Sequence, residues 1–215
     1  MNFLKEARNL PAALPVMTQA HILGRFLTGV FPQIVSAVPA DLGRTLDFGC
    51  GHGLLLNLLK RNAKIDEGLG IDIDSEKIEL AQRWAIAGVE FRNESLADVS
   101  GPFDTIISAD VMYLLPLGKW SAVLARFYDL LRPGGRLIIK TVLKKNNWKH
   151  LWGCLQEQIA VRALRITEQQ GSEFTYLTAS EWKEILERHG FHIDQFREIL
   201  FSPHNHALFI CRRPS

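Results

Sequence analysis

Cysteine is scarce in this chain, and so is any surplus of one charge. Cys50, Cys154 and Cys211 lie far apart and are odd in number, which argues against a disulfide scaffold and gives no metal-ligand spacing. The 25 Lys and Arg nearly cancel the 23 Asp and Glu, for a formal charge of +2. The strong basic excess of a dedicated nucleic-acid binder is therefore missing. No apolar run reaches the roughly 18 residues of a membrane-spanning helix. The apolar N-terminal stretch is broken by Gln19, His21 and Arg25 before a signal-peptide core can form. The expectation is a cytoplasmic chain with no nucleic-acid partner, no stable membrane insertion and no bound metal.

What is present is enough apolar residue, 47%, to bury a real core. Residues 1–43 carry short apolar clusters punctuated by Pro11, Pro15, Pro32 and Pro39, a pattern of two or three short helices. From Arg44 onward, short β-branched runs alternate with helical periodicity, which signals a parallel α/β sheet. The expected strands are 45–48, 69–73, 89–92, 104–108, 136–142, 191–200 and 206–212. Trp120, Val123, Leu124, Phe127, Leu130 and Leu131 recur at helical spacing until Pro133-Gly134-Gly135 turns the chain. A second helix opens with Thr178 and Glu181 as a capping box, buries Trp182, Ile185, Leu186 and His189, and ends at Gly190. Lys140–His150, with Lys144, Lys145 and Lys149, is a local basic cluster; it reads as a solvated loop and helix start rather than a docking patch for an acidic partner.

Chemistry concentrates in Leu46-Asp47-Phe48-Gly49-Cys50-Gly51-His52-Gly53, which joins the first strand to a Leu-rich helix. Glycine there allows positive φ and removes the Cβ that would keep a ligand off the backbone. A dinucleotide fingerprint would place its third glycine at Leu54, one residue later than Gly53. Gly70-Ile71-Asp72-Ile73 then ends the next strand with a carboxylate about 20 residues beyond the loop, where it can accept from both hydroxyls of a ribose. That feature alone serves nicotinamide enzymes equally well. Asp74 reads as an N-cap for the helix through Lys77, Ile78, Ala81 and Trp84.

With Phe103-Asp104-Thr105-Ile106-Ile107-Ser108-Ala109 and Leu131-Arg132-Pro133-Gly134-Gly135 added in order, the chain resembles the Rossmann-like (class I) S-adenosylmethionine-dependent methyltransferases. The match covers about residues 44–142 and extends to the C-terminal strand pair. The resemblance implies an α/β fold: a seven-stranded, mostly parallel, doubly wound sheet with an antiparallel last strand, plus N-terminal helices forming a cap. Residues 1–43 would be that cap and 44–215 the Rossmann-like domain, with a substrate-cap insertion near 144–178. It implies S-adenosyl-L-methionine as cofactor and S-adenosyl-L-homocysteine as product. Gly49, Cys50 and Gly51 would line the methionine and ribose, Asp47 would support the amino group, and Asp72 would bind the ribose hydroxyls. Ile73 would pack on the adenine, Glu94 and Ser95 would face its edge, and Ala109 would offer its carbonyl to the ammonium.

Methyl transfer from a sulfonium needs mainly positioning and exclusion of water, while an oxygen acceptor gains from a base near neutral pKa. In such a fold the turn before the last strand lies at the cofactor edge, so His204 and His206 are candidates for base and orienting group. A turn held by short polar side chains explains them equally. His52 is a candidate for shaping the methyl pocket and Tyr113 for its wall; both also read as plain surface and packing residues. His150, His189 and His192 read as structural or exposed. Ser108-Ala109-Asp110-Val111 lacks the Asn/Asp-Pro-Pro-aromatic motif of amino-methylating DNA enzymes. The expected acceptor is a small or carrier-bound molecule, apolar or aromatic, selected by a cap holding Phe26, Phe31, Trp148, Trp152, Phe174 and Tyr176. Competing readings are an NAD-dependent oxidoreductase, a non-catalytic cofactor-binding partner protein, and an enzyme anchored at a membrane surface through Phe26–Val38.

Overall fold

Alternation of β-branched runs with helical repeats resolves, in a computed structural model, into one sheet covered on both faces. The structure describes residues 30–144, 174–199 and 205–215. The strands are β1 (Arg44–Phe48), β2 (Glu67–Asp72), β3 (Val89–Asn93), β4 (Phe103–Ala109), β5 (Leu131–Val142), β6 (His192–Glu198) and β7 (His206–Arg212). The helices are α1 (Val30–Ala37), α2 (Leu54–Arg61), α3 (Ser75–Gln82), α4 (Leu117–Leu130) and α5 (Ala179–Arg188), with a 3-10 turn at Met112–Leu114. Strand order is β3-β2-β1-β4-β5-β7-β6. All neighbours pair parallel except β7, which runs antiparallel to both β5 and β6. The seven-stranded architecture with an antiparallel last strand is thus present, and no described helix is long and apolar enough to cross a membrane.

Strand β1 lies between β2 and β4, so chain order reverses there. Such a switch point opens a crevice at the carboxyl ends of the strands. Two apolar clusters hold the sheet. On one face Leu55, Leu56 and Leu59 of α2 and Ile78 and Ala81 of α3 pack with Ile34, Val35 and Val38 of the α1 segment over Ile107, Ile138 and Leu208. Those three α1-segment residues are buried in the core, so that part of Phe26–Val38 does not form a membrane-facing surface. On the other face Trp120 and Phe127 of α4 and Trp182 and Leu186 of α5 cover Ile106, Ile139 and Phe209. The Trp120 and Trp182 rings lie 4.6 Å apart.

Local signals set the helix ends. The Asp74 carboxylate accepts from the Lys77 N–H and caps α3. Thr178 and Glu181 form a complete capping box on α5, and Gly190 follows its end with φ of 83°. Helix α3 stops at Gln82, short of Trp84, whose indole N–H instead donates to the His52 carbonyl at 2.8 Å. Strand β2 runs from Glu67 to Asp72 rather than over 69–73, which leaves Ile73 outside it. Helix α4 stops before Pro133-Gly134-Gly135 as expected, yet β5 is already under way at Leu131, which pairs with Phe103.

Candidate active site

The switch point places the glycine loop against the end of β2. Gly49 and Cys50 N–H groups both donate to the Ile71 carbonyl, at 2.9 and 3.0 Å. Gly49 and Gly51 have φ of 72° and 52°, the left-handed region that glycine enters without a Cβ penalty. They differ in what surrounds them. A Cβ on Gly49 would collide with the Val111 side chain, whereas one on Gly51 would meet nothing within 4 Å. Gly51 is therefore a bare stretch of backbone facing open space, and a side chain there would occupy what the loop leaves clear.

Asp72 borders this recess. Its Oδ2 accepts from the Gly51 N–H at 2.9 Å and its Oδ1 from the Asp74 N–H at 3.0 Å, so the carboxylate is held across the loop instead of turning to a cationic partner. A carboxylate offers about four acceptor sites; two are used, and two remain for a pair of hydroxyls. Beside it Ile73 is 76% exposed, a large apolar side chain standing where a flat ring could cover it. Glu94 Oε2 is buried and accepts no hydrogen bond among the described residues, with Arg92 Nη1 3.8 Å away. Such an atom suits the exocyclic amine of an adenine, since an unmet buried acceptor is costly. Bare backbone, paired acceptor sites, an apolar platform and this unmet carboxylate oxygen fit an adenosyl group.

The other expected pocket residues are placed as follows. Asp47 is buried in β1, beside Gly70 and Ile107. Cys50 is half-buried in the loop, its thiol raised far above the ordinary range by burial first and then by the negative charges of Asp47 and Asp72. It is therefore a neutral group packed against the apolar cluster, not a nucleophile. Ser95 is exposed, its hydroxyl accepting from the Ala97 N–H at 3.1 Å.

Across the crevice, Ala109 ends β4 and Asp110 follows with φ of 64°. Tyr113 is buried in the 3-10 turn. It stacks on Tyr176 at 5.7 Å and meets Phe174 edge-on at 6.3 Å, and its carbonyl accepts from the Thr175 N–H. Three rings thus gather at the ends of β4 and β5. His206 opens β7 opposite Val142 and is buried at the same sheet edge. His204 lies outside the described residues, as do Trp148, Trp152, His150, Lys145, Lys149, Phe26 and Cys154. His189 is a helix-end group, its Nδ1 2.8 Å from the Ile185 carbonyl, and His192 is exposed.

One pair went unread in the sequence. Lys140 is not part of a solvated basic cluster: it is buried in β5 with its ammonium 2.5 Å from both Asp110 carboxylate oxygens. A lone charge inside the run Leu137-Ile138-Ile139-Lys140-Thr141-Val142 was the available signal, because a strand covered on both faces has no solvated side for an ammonium.

Comparison with known proteins bears on the whole assembly. A family model described as a methyltransferase domain matches residues 20–195. The chain is 27% identical over 129 residues to a fatty-acid O-methyltransferase of Mycolicibacterium smegmatis, covering 58% of this chain and 46% of that protein. It is 26% identical over 177 residues to a ubiquinone biosynthesis O-methyltransferase of Xylella fastidiosa, covering 79% and 69%. The chain thus spans about half of the first relative and about two thirds of the second. The structure of magnesium protoporphyrin IX methyltransferase from Synechocystis, solved with S-adenosylhomocysteine bound, superposes with a TM-score of 0.66 at 22% identity, over 98% of this chain and 93% of that one.

Proposed function

The chain belongs to the methyltransferase-domain family, whose methyl donor is S-adenosylmethionine, and from that premise we propose that it methylates an apolar or aromatic acceptor, small or carrier-bound, at an oxygen atom. The observation that carries the cofactor half of this reading is the bare Gly51 backbone beside the doubly anchored Asp72 carboxylate. The acceptor half is supported by the Tyr113, Phe174 and Tyr176 rings at the neighbouring strand ends. Both curated relatives above are named for O-methylation, which supports oxygen over nitrogen or carbon. A nicotinamide-dependent oxidoreductase is set aside by the family match.

Bound in the recess, S-adenosylmethionine supplies a methyl made electrophilic by its sulfonium. Asp72 would accept from the ribose hydroxyls, Ile73 would cover the adenine face, and Glu94 would accept from its amino group, with Ser95 beside it. Gly49, Cys50 and Gly51 would line the methionine and ribose, while Asp47 and the Ala109 carbonyl would receive the ammonium. The aromatic cluster would press the acceptor toward the strand ends and keep water out, conditions under which orientation supplies much of the rate. His206, at that edge, would take the acceptor proton, with His204, two positions before it in the sequence, as the orienting group.

The test is transfer of labelled methyl from S-adenosylmethionine to octanoate, to catechol and to spermine as a charged comparison. Labelling of octanoate or catechol supports the proposal; labelling of spermine alone overturns it. His206→Gln is expected to lower the rate while leaving S-adenosylhomocysteine binding unchanged, and an unchanged rate would remove the base assignment.

A further inference from the structure

We infer that the buried Lys140–Asp110 ion pair is a positioning device: it clamps the turn after β4 so that Val111 presses on Gly49 and sets the width of the cofactor recess. This rests on the pocket reading above and goes beyond it in naming residues to which that reading gives no part in holding cofactor or acceptor.

Asp110 holds a left-handed conformation, φ 64°, which aspartate tolerates better than most residues with a Cβ and which its surroundings pin here. Those surroundings are visible. Lys140 lies opposite Ala109 across the parallel β4–β5 pair, and the Asp110 N–H donates to the Lys140 carbonyl at 3.0 Å. The Lys140 side chain is 1% exposed and that of Asp110 9%, and both carboxylate oxygens meet the ammonium. One residue therefore grips the turn with backbone and side chain together. The next residue, Val111, lies so close to Gly49 that no Cβ fits between them. The chain of contact runs from β5 through Asp110 and Val111 to the glycine loop.

Stability alone is a poor account of such a pair, because replacing both buried charges with neutral groups is often harmless to folding. Positioning makes a different forecast. Lys140→Met/Asp110→Leu removes both charges and substitutes a residue that resists the left-handed turn. It should melt within a few degrees of wild type yet bind S-adenosylhomocysteine on the order of 10-fold more weakly by calorimetry. Lys140→Met/Asp110→Asn keeps a side chain that tolerates that turn but has no ion pair, and should bind as weakly as the Leu variant. Wild-type affinity in the Leu variant, or recovery of wild-type affinity in the Asn variant, overturns the inference.

Should the Leu variant fail to fold, hydrogen exchange on the wild-type chain decides. The Asp110 amide, bonded to the Lys140 carbonyl, should be protected before any ligand is added; exchange at an open-loop rate that slows only with S-adenosylhomocysteine overturns the clamp. A wild-type chain that binds no S-adenosylhomocysteine would sink the pocket reading and the clamp together, whereas normal binding by both wild type and the Leu variant would sink the clamp alone.

Discussion

The two sides of the crevice hold their groups by different means. Around β1, β2 and β3 the recess is made from main chain: Gly49, Cys50, Gly51 and Asp74 present N–H groups, and Asp72 is locked by two of them. Around β4, β5 and β7 it is made from side chains, with buried Lys140 against Asp110 and the rings of Tyr113, Phe174 and Tyr176 in mutual contact. Main-chain geometry follows directly from the fold. Side-chain sites are free to vary and select what differs.

The largest effect that sharpens this contrast lies on the side-chain half. Trp182 is fully buried between Trp120 and Phe209, so Trp182→Ala should cost about 3–5 kcal/mol, read by urea denaturation. A loss below about 1 kcal/mol, within the ordinary range for an uncritical site, would show that α5 does not support that side. Next comes Asp72→Ala, which removes a charged acceptor. It should weaken S-adenosylhomocysteine binding by roughly 100-fold, given about 1.5–3 kcal/mol for each hydrogen bond to a charged group. Binding within threefold of wild type would break the main-chain side of the comparison.

Gly51→Ala separates fold from site. Its Cβ meets nothing, so stability should fall only by the roughly 1–2 kcal/mol of a left-handed alanine, while ligand affinity collapses. Smaller still is the α5 cap: Thr178→Ala should cost about 1 kcal/mol. Hydrogen bonds from the Thr178 backbone and hydroxyl hold the Glu181 carboxyl below its ordinary range. Its folded pKa is depressed, so the contribution is present above about pH 4.3 and lost as pH falls through the folded value. The melting-temperature gap between wild type and Glu181→Gln should close on acidification and persist at pH 7. The least effect expected is a null: Cys50 should resist iodoacetamide at pH 8 in the folded chain and react once unfolded, because burial and the carboxylates of Asp47 and Asp72 disfavour its thiolate. Rapid labelling of folded protein would contradict that environment.

The main-chain side was legible because its requirements are local. Glycines at alternate positions after an apolar strand, and an acidic residue at the end of the next, state their geometry in the residue order, and Asp72 stands where that order put it. Strand β7 and the Thr178–Glu181 cap were equally plain. The less legible elements are those whose signal is diluted: β2 begins with Glu67 and Gly68, residues of low strand preference, and Ile73 lies past its other end, exposed. Lys140 opens a run with Lys144 and Lys145 that resembles solvated surface, because its partner Asp110 lies 30 positions away.

Residue order by itself determined the strand–helix alternation, the loop that bares its backbone and the carboxylate that faces it, since each depends on conformational preferences within a few residues. Tertiary structure alone decided that an ammonium could sit inside a sheet and that Tyr113 would meet Phe174 and Tyr176. The physical reason is that a buried charge is tolerable only once its counter-charge is in place, and that pairing, like a ring stack, comes into being when distant segments close on one another.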